Sequence, residues 1–106
     1  MPTYSRYAVD ALRLLGRSIK TARIERGMGS SELADRVGIS RATLSRIEHG
    51  DPASAIGSAF EAAAIVGVPL FEPEPSRLAS QLTRAEEKLA LMPSRVRPRR
   101  VVPDGF

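Results

Sequence analysis

The sequence predicts an all-α protein of five helices with an extended C-terminal tail, and three features lead there. Apolar residues recur at three- and four-residue steps through most of the 106 positions, the spacing that lines one face of a helix. Gly27, Gly38, Gly50 and Pro93 interrupt those stretches at intervals suited to short helices. Ser40 and Ser76 stand where a helix start needs a side-chain acceptor for its free amides. A chain of this length supports one modest core. Residues 1–72 are therefore expected to form one domain, 73–92 an additional helix and 93–106 a basic tail.

The first helix is predicted from Tyr7 to Arg26, with Ala8, Leu12, Leu15, Ile19, Ala22 and Arg23 on one face and Arg13, Arg17, Lys20 and Arg26 turned outward. Gly27 ends it, and Met28 reads as core. The second begins at Gly29 or Ser30, with Glu32 placed to cap its first turn, and buries Leu33, Ala34 and Val37 before Gly38. Ser40 caps a third over residues 41–48 whose Leu44 and Ile47 point inward, ending at His49-Gly50. After the turn GDPAS, IGSAFEAAAIVG gives a fourth helix with Phe60, Ala63 and Ile65 or Val66 buried, and Val68 and Leu70 continue its apolar surface. FEPEPS reads as a stiff, extended connector. Ser76 then caps a fifth helix striped by Leu78, Leu82, Ala85 and Leu89 and closed by Pro93.

Composition narrows the function. The formal net charge is +4, and fourteen of the sixteen basic residues are arginine, only Lys20 and Lys88 being lysine. A guanidinium forks onto phosphate or a guanine edge, whereas an ammonium acts as a point charge, so this bias points to nucleic acid. With no cysteine and the single histidine His49, the chain lacks the ligands for a structural zinc site and the base for Ser-His or Cys-His catalysis. No enzyme activity, metal or cofactor is expected. His49 reads as a surface residue at a helix end. The N-terminal stretch carries Arg6, Asp10 and Arg13 among its apolar residues, and no apolar run reaches membrane-spanning length. A cytoplasmic protein without a membrane partner is the expectation.

Two short helices joined through Gly38-Ile39-Ser40 cannot be coaxial, because the glycine can turn the chain while Ile39 plugs the corner. That is a helix-turn-helix, whose second helix presents its N-terminal end outward and fits a DNA major groove.

LGRSIKTARIERG, SSELADRVGISRATLSRIEHG and FEAAAIVGVPL, within residues 11–72, resemble the Cro and phage-repressor (Xre) family of helix-turn-helix domains. The pattern A-x-x-x-G-I-S-x-x-T-L-S-x-I-E-x-G from Ala34 to Gly50 carries the likeness. The chain departs from the family at Gly29, where Ser, Thr or Asn is usual. The resemblance implies a lambda-repressor-like fold and a sequence-specific DNA-binding regulator. It makes the helix from Ser40 the recognition helix, with Ser40, Arg41, Ala42, Thr43, Ser45 and Arg46 as its DNA-binding residues and Arg41 and Arg46 reading bases. Ser30 and Ser31 match positions that grip the phosphate backbone, and Arg23 and Glu48 match a pair that ties the first helix to the end of the recognition helix.

The segment from Leu70 to Arg100 resembles antitoxins of HipB type, which bind HipA-like serine/threonine kinase toxins. An autorepressing antitoxin is therefore expected, binding a palindromic double-stranded operator as a homodimer through Leu78, Leu82 and Leu89 and holding such a kinase. A stand-alone repressor is the alternative.

Overall fold

The structure, a computed structural model, describes residues 3–96. Most of the predicted tail, residues 97–106, lies outside the described residues. Among the described residues five helices form: α1 Arg6–Glu25, α2 Ser30–Val37, α3 Arg41–Glu48, α4 Ile56–Ile65 and α5 Pro75–Ala90. The chain divides into two compact units, Met1–Phe71 and Glu72–Phe106.

Each helix of the first unit starts and stops for a local reason. Ser5 accepts the Ala8 amide at 3.2 Å, which sets the start of α1 one residue ahead of the predicted Tyr7. At its other end the Met28 amide reaches back to the Arg23 carbonyl and the Gly27 amide to that of Ile24, a paired C-terminal closure that drops Met28 into the core. α2 runs from Gly29, which offers no side-chain acceptor, to Gly38, whose left-handed φ of +85° bends the chain toward α3. Glu32 does not cap this helix as predicted: its carboxylate accepts from Arg36 at 2.8 Å, one turn on. A glycine at the cap cannot return the second bond of a capping box, so the helical partner four residues away wins. Ser40 accepts the Thr43 amide at 3.0 Å and opens α3.

α3 packs on both α1 and α2, and α4 packs on α2. Ile19, Leu33, Leu44 and Val66 are the largest fully buried side chains, with Ala34, Ile47, Ala62 and Ala63 closing the gaps among them. Burying each of the large ones contributes about 1.5–3 kcal/mol before conformational entropy is charged against it. The predicted burial of Phe60 is corrected: it remains 36% exposed and stacks on Phe71 with ring centroids 5.9 Å apart. The buried face of α4 is the line of Ala62, Ala63 and Val66 with Ala59 beside it, and the small alanines let α4 approach α2 too closely for a phenyl ring between them.

Two glycines hold α1 against the end of α3. A Cβ on Gly16 would stand 2.5 Å from the carbonyl oxygens of Ile47 and Glu48, and one on Gly50 would stand 2.7 Å from the Arg13 Cα. Gly50 also adopts φ +79°, which an L side chain rarely takes.

In the second unit α5 begins earlier than predicted, and its cap is Glu74, not Ser76. The Glu74 carboxylate accepts the Arg77 amide at 2.9 Å and the Ser76 amide at 3.2 Å, and the Ser76 hydroxyl also donates to it. Pro75 occupies the first helical position, where its fixed φ is favourable and its missing N–H costs nothing, so the last residues of FEPEPS join the helix instead of remaining extended. α5 buries none of its residues, and Leu78, Leu82 and Leu89 are all exposed.

Candidate nucleic-acid interface

The interface is built on one anchored helix. Arg23 and Glu48 are 8% and 4% exposed, and their side chains meet as two parallel bonds: Nε to Oε2 at 2.8 Å and an Nη to Oε1 at 3.0 Å. The other Nη of Arg23 donates to the Met28 carbonyl at 3.0 Å. One guanidinium thus joins the end of α1, the α1–α2 turn and the last residue of α3. The Glu48 hydrogen bonds and charge raise the Arg23 pKa, against the opposing pull of burial. Arg17 adds a bond of 2.8 Å to the Glu48 carbonyl, an acceptor left free at a helix end. Both ends of Glu48 are therefore held by α1, and the orientation of α3 follows.

On the outer face of α3, Arg41, Ala42, Ser45 and Arg46 are exposed and Thr43 is half-buried. Arg46 donates to Thr43 Oγ1 at 3.2 Å, and the Ser40 hydroxyl donates to the same oxygen at 2.9 Å while accepting the Thr43 amide. The hydroxyls of Ser40 and Thr43 are thus engaged in the cap and in steering Arg46. Arg41 has no side-chain bond among the described residues, leaving its fork open. The first-turn amides of α2 receive no acceptor from Gly29, and beside them Ser30 is half-buried and Ser31 exposed.

A polar hollow of about 420 Å³ brings α1, α2 and α3 together, with Lys20, Ser30, Arg41 and His49 on its walls and the Arg23–Glu48 pair at its base. The sequence reading placed Lys20 merely outward. Its position three residues before Arg23 is the available signal: once Arg23 is tied to α3, the side chain one turn earlier on α1 faces the same helix. His49 lies at the end of α3, its Nδ1–H donating to the Ser45 carbonyl at 2.7 Å, since a carbonyl can only accept. Leu78, Leu82 and Leu89 share a stripe on α5, in the other unit, and all three are exposed.

A short capped helix, held at its far end by a buried ion pair and offering exposed arginines beside a polar hollow, defines a helix-turn-helix unit of the DNA-reading kind. A family model described as helix-turn-helix matches residues 19–72, just over half of the chain. The protein belongs to this Xre, lambda-repressor-like family, and is a DNA-binding transcriptional regulator. The match covers α2, α3 and α4 whole and starts at Ile19, within α1. A search of curated proteins finds no match. Among the described residues no helix is long and apolar enough to cross a membrane.

Proposed function

We propose that the protein reads a palindromic operator as a homodimer, with α3 in the major groove and α5 joining the two copies. The observation that carries this reading is the anchored, outward-facing α3: its arginines are exposed on one side while Leu44, Ile47 and Glu48 are locked into the core on the other. Arg41 and Arg46 each fork onto the O6 and N7 of a guanine, worth about 1–3 kcal/mol of discrimination per good contact. Ala42 and the Thr43 methyl face thymine methyl groups. Ser30, Ser31 and the α2 amides that Gly29 leaves free hold phosphate. Lys20 adds to the phosphate grip.

One recognition helix covers only a few base pairs, so affinity against genomic competitors calls for two half-sites about one DNA turn apart. Leu78, Leu82, Ala85 and Leu89 fall at alternating four- and three-residue steps, the heptad spacing of a two-helix seam, and all are exposed. A second copy covers them in this reading. The same stripe, with the HipB-like run from Leu70 to Arg100, supports a second reading in which a HipA-like kinase is also held there, making the protein an autorepressing antitoxin.

The test is a selection of bound duplexes followed by titration. Arg41→Ala and Arg46→Ala should each bring cognate affinity toward that for scrambled DNA, by about tenfold or more. Ser31→Ala should weaken both duplexes evenly. An unchanged cognate-to-scrambled ratio in both arginine variants removes α3 as the reading element. Co-expression with a kinase encoded beside the gene decides the second reading, which predicts a stable complex lost in Leu82→Asp.

A further inference from the structure

The two arginines on the outer face of α3 are held differently. Arg41 is the first residue of the helix, and three positions before it stands Gly38, which has no side chain to meet it. Arg46 has a full helical turn in front of it. A side chain on a helix leans toward the N-terminus and covers the residue three or four before its own, which for Arg46 includes Thr43. There its Nη2 donates to the Thr43 oxygen at 3.2 Å.

The receiving oxygen is itself fixed. It lies 2.9 Å from the Ser40 hydroxyl, and the same hydroxyl accepts the Thr43 amide at 3.0 Å as the cap of the helix. The backbone of Arg46 is tied as well, its carbonyl accepting the Asp51 amide at 3.0 Å where α3 turns. A line of bonds therefore runs from the helix cap to the guanidinium.

We propose that Thr43 is a positioning residue for specificity: its oxygen presets the Arg46 guanidinium, and discrimination at the base pair that Arg46 reads depends on that contact. The inference rests on the DNA-reading role of α3 given above. A long side chain loses much of its rotamer freedom when a base fixes it. One already leaning on Thr43 has less to lose. Thr43 uses one of the five N–H groups of the guanidinium, and four remain for a fork onto the O6 and N7 of guanine. A guanidinium swung out to a phosphate, a contact that carries no sequence information, gives up the bond to Thr43. Threonine also allows its two branches to be separated, since valine keeps the methyl without the oxygen and serine the oxygen without the methyl.

Two measurements test this, the first without DNA. In the full-length, nitrogen-15-labelled protein, relaxation of the Arg46 Nε should show a more ordered side chain than that of Arg41, and Thr43→Val should bring Arg46 to the level of Arg41. Equal mobility of the two arginines in the unmodified protein overturns the preset. In the second, selection from a randomised half-site by the unmodified protein and by Arg46→Ala identifies the pair whose guanine preference depends on Arg46. Thr43→Val should lower that preference about two- to tenfold, the range that fixing one long side chain covers, and leave the other pairs unchanged. Thr43→Ser should keep it. In the Arg46→Ala background, Thr43→Val should have no further effect at that pair. An unchanged preference in Thr43→Val, an even loss over all pairs, an equal loss in Thr43→Ser, or losses that add in the double variant overturns the positioning role. If Arg46→Ala alters no pair, the base-reading assignment itself fails, while the relaxation measurement still decides whether Thr43 holds the guanidinium.

Discussion

Helices α3 and α5 are made from similar local parts and end in opposite situations. α5 is twice as long, capped by a carboxylate with proline at its first position, and cleanly amphipathic, yet it buries nothing. α3 has eight residues, too few to persist alone in water, and still it is the fixed point of the first unit because Leu44, Ile47 and Glu48 are buried. Capping and periodicity decide whether a segment becomes a helix. What the helix is then worth depends on where its side chains are received, and α3 is received by a guanidinium, two glycines and the Leu33 layer.

The sharpest way to break this contrast is to release α3 from α1. Glu48→Ala leaves the Arg23 guanidinium buried without its partner and should cost about 3–5 kcal/mol, seen as a large drop in the thermal midpoint. Replacing both, Arg23→Met with Glu48→Leu, should cost markedly less, because no charge is left uncompensated. A double variant as unstable as the single one would show that the pair contributes through shape alone. Within reach of the same spot, Gly16→Ala pushes a methyl group into two backbone carbonyls that cannot move independently, and a loss of about 1–3 kcal/mol is expected in chemical denaturation.

Effects in α5 should be smaller and local. The Ser76 hydroxyl, followed by the Arg77 and Ser76 amides, lowers the Glu74 pKa from its ordinary value. A carboxylate whose folded pKa lies below its unfolded one stabilises fully above the ordinary glutamate range, about 4.3, and that contribution disappears as pH falls through the lowered folded value. The Glu74 carboxylate, followed through the chemical shift of the Arg77 amide that it accepts, should therefore titrate below the ordinary range, and the first turn of α5 should fray on acidification; a midpoint at the ordinary value would contradict the cap. Smallest of all, Leu82→Asp should leave the hydrogen-exchange protection of the Leu33 and Leu44 amides within about 0.5 kcal/mol of the unmodified protein, because Leu82 is exposed. If α5 joins two copies as proposed, the same variant should sediment as a monomer and the unmodified protein as a dimer.

The order of the helices, the Gly38 corner and the Ser40 cap could be read from residue type and spacing, because each rests on one side chain and a neighbour at a known offset; the pairing of Arg23 with Glu48 came from the family pattern alone. The misreadings share the opposite character. Phe60 stands at a plausible helical position, and only the tight approach of α4 to α2 turns it outward. Glu74 and Ser76 both qualify as caps, and the choice fell to the proline between them.

By itself, then, the sequence determined where the chain coils, where it breaks, and which family's corner it turns, since these depend on backbone freedom and on side chains within about one helical turn. Tertiary structure alone decided that Gly16 must be bare and that Lys20 shares a hollow with Arg41. These are properties of surfaces brought together from distant parts of the chain. The close packing that unites them depends on contacts that no local pattern records.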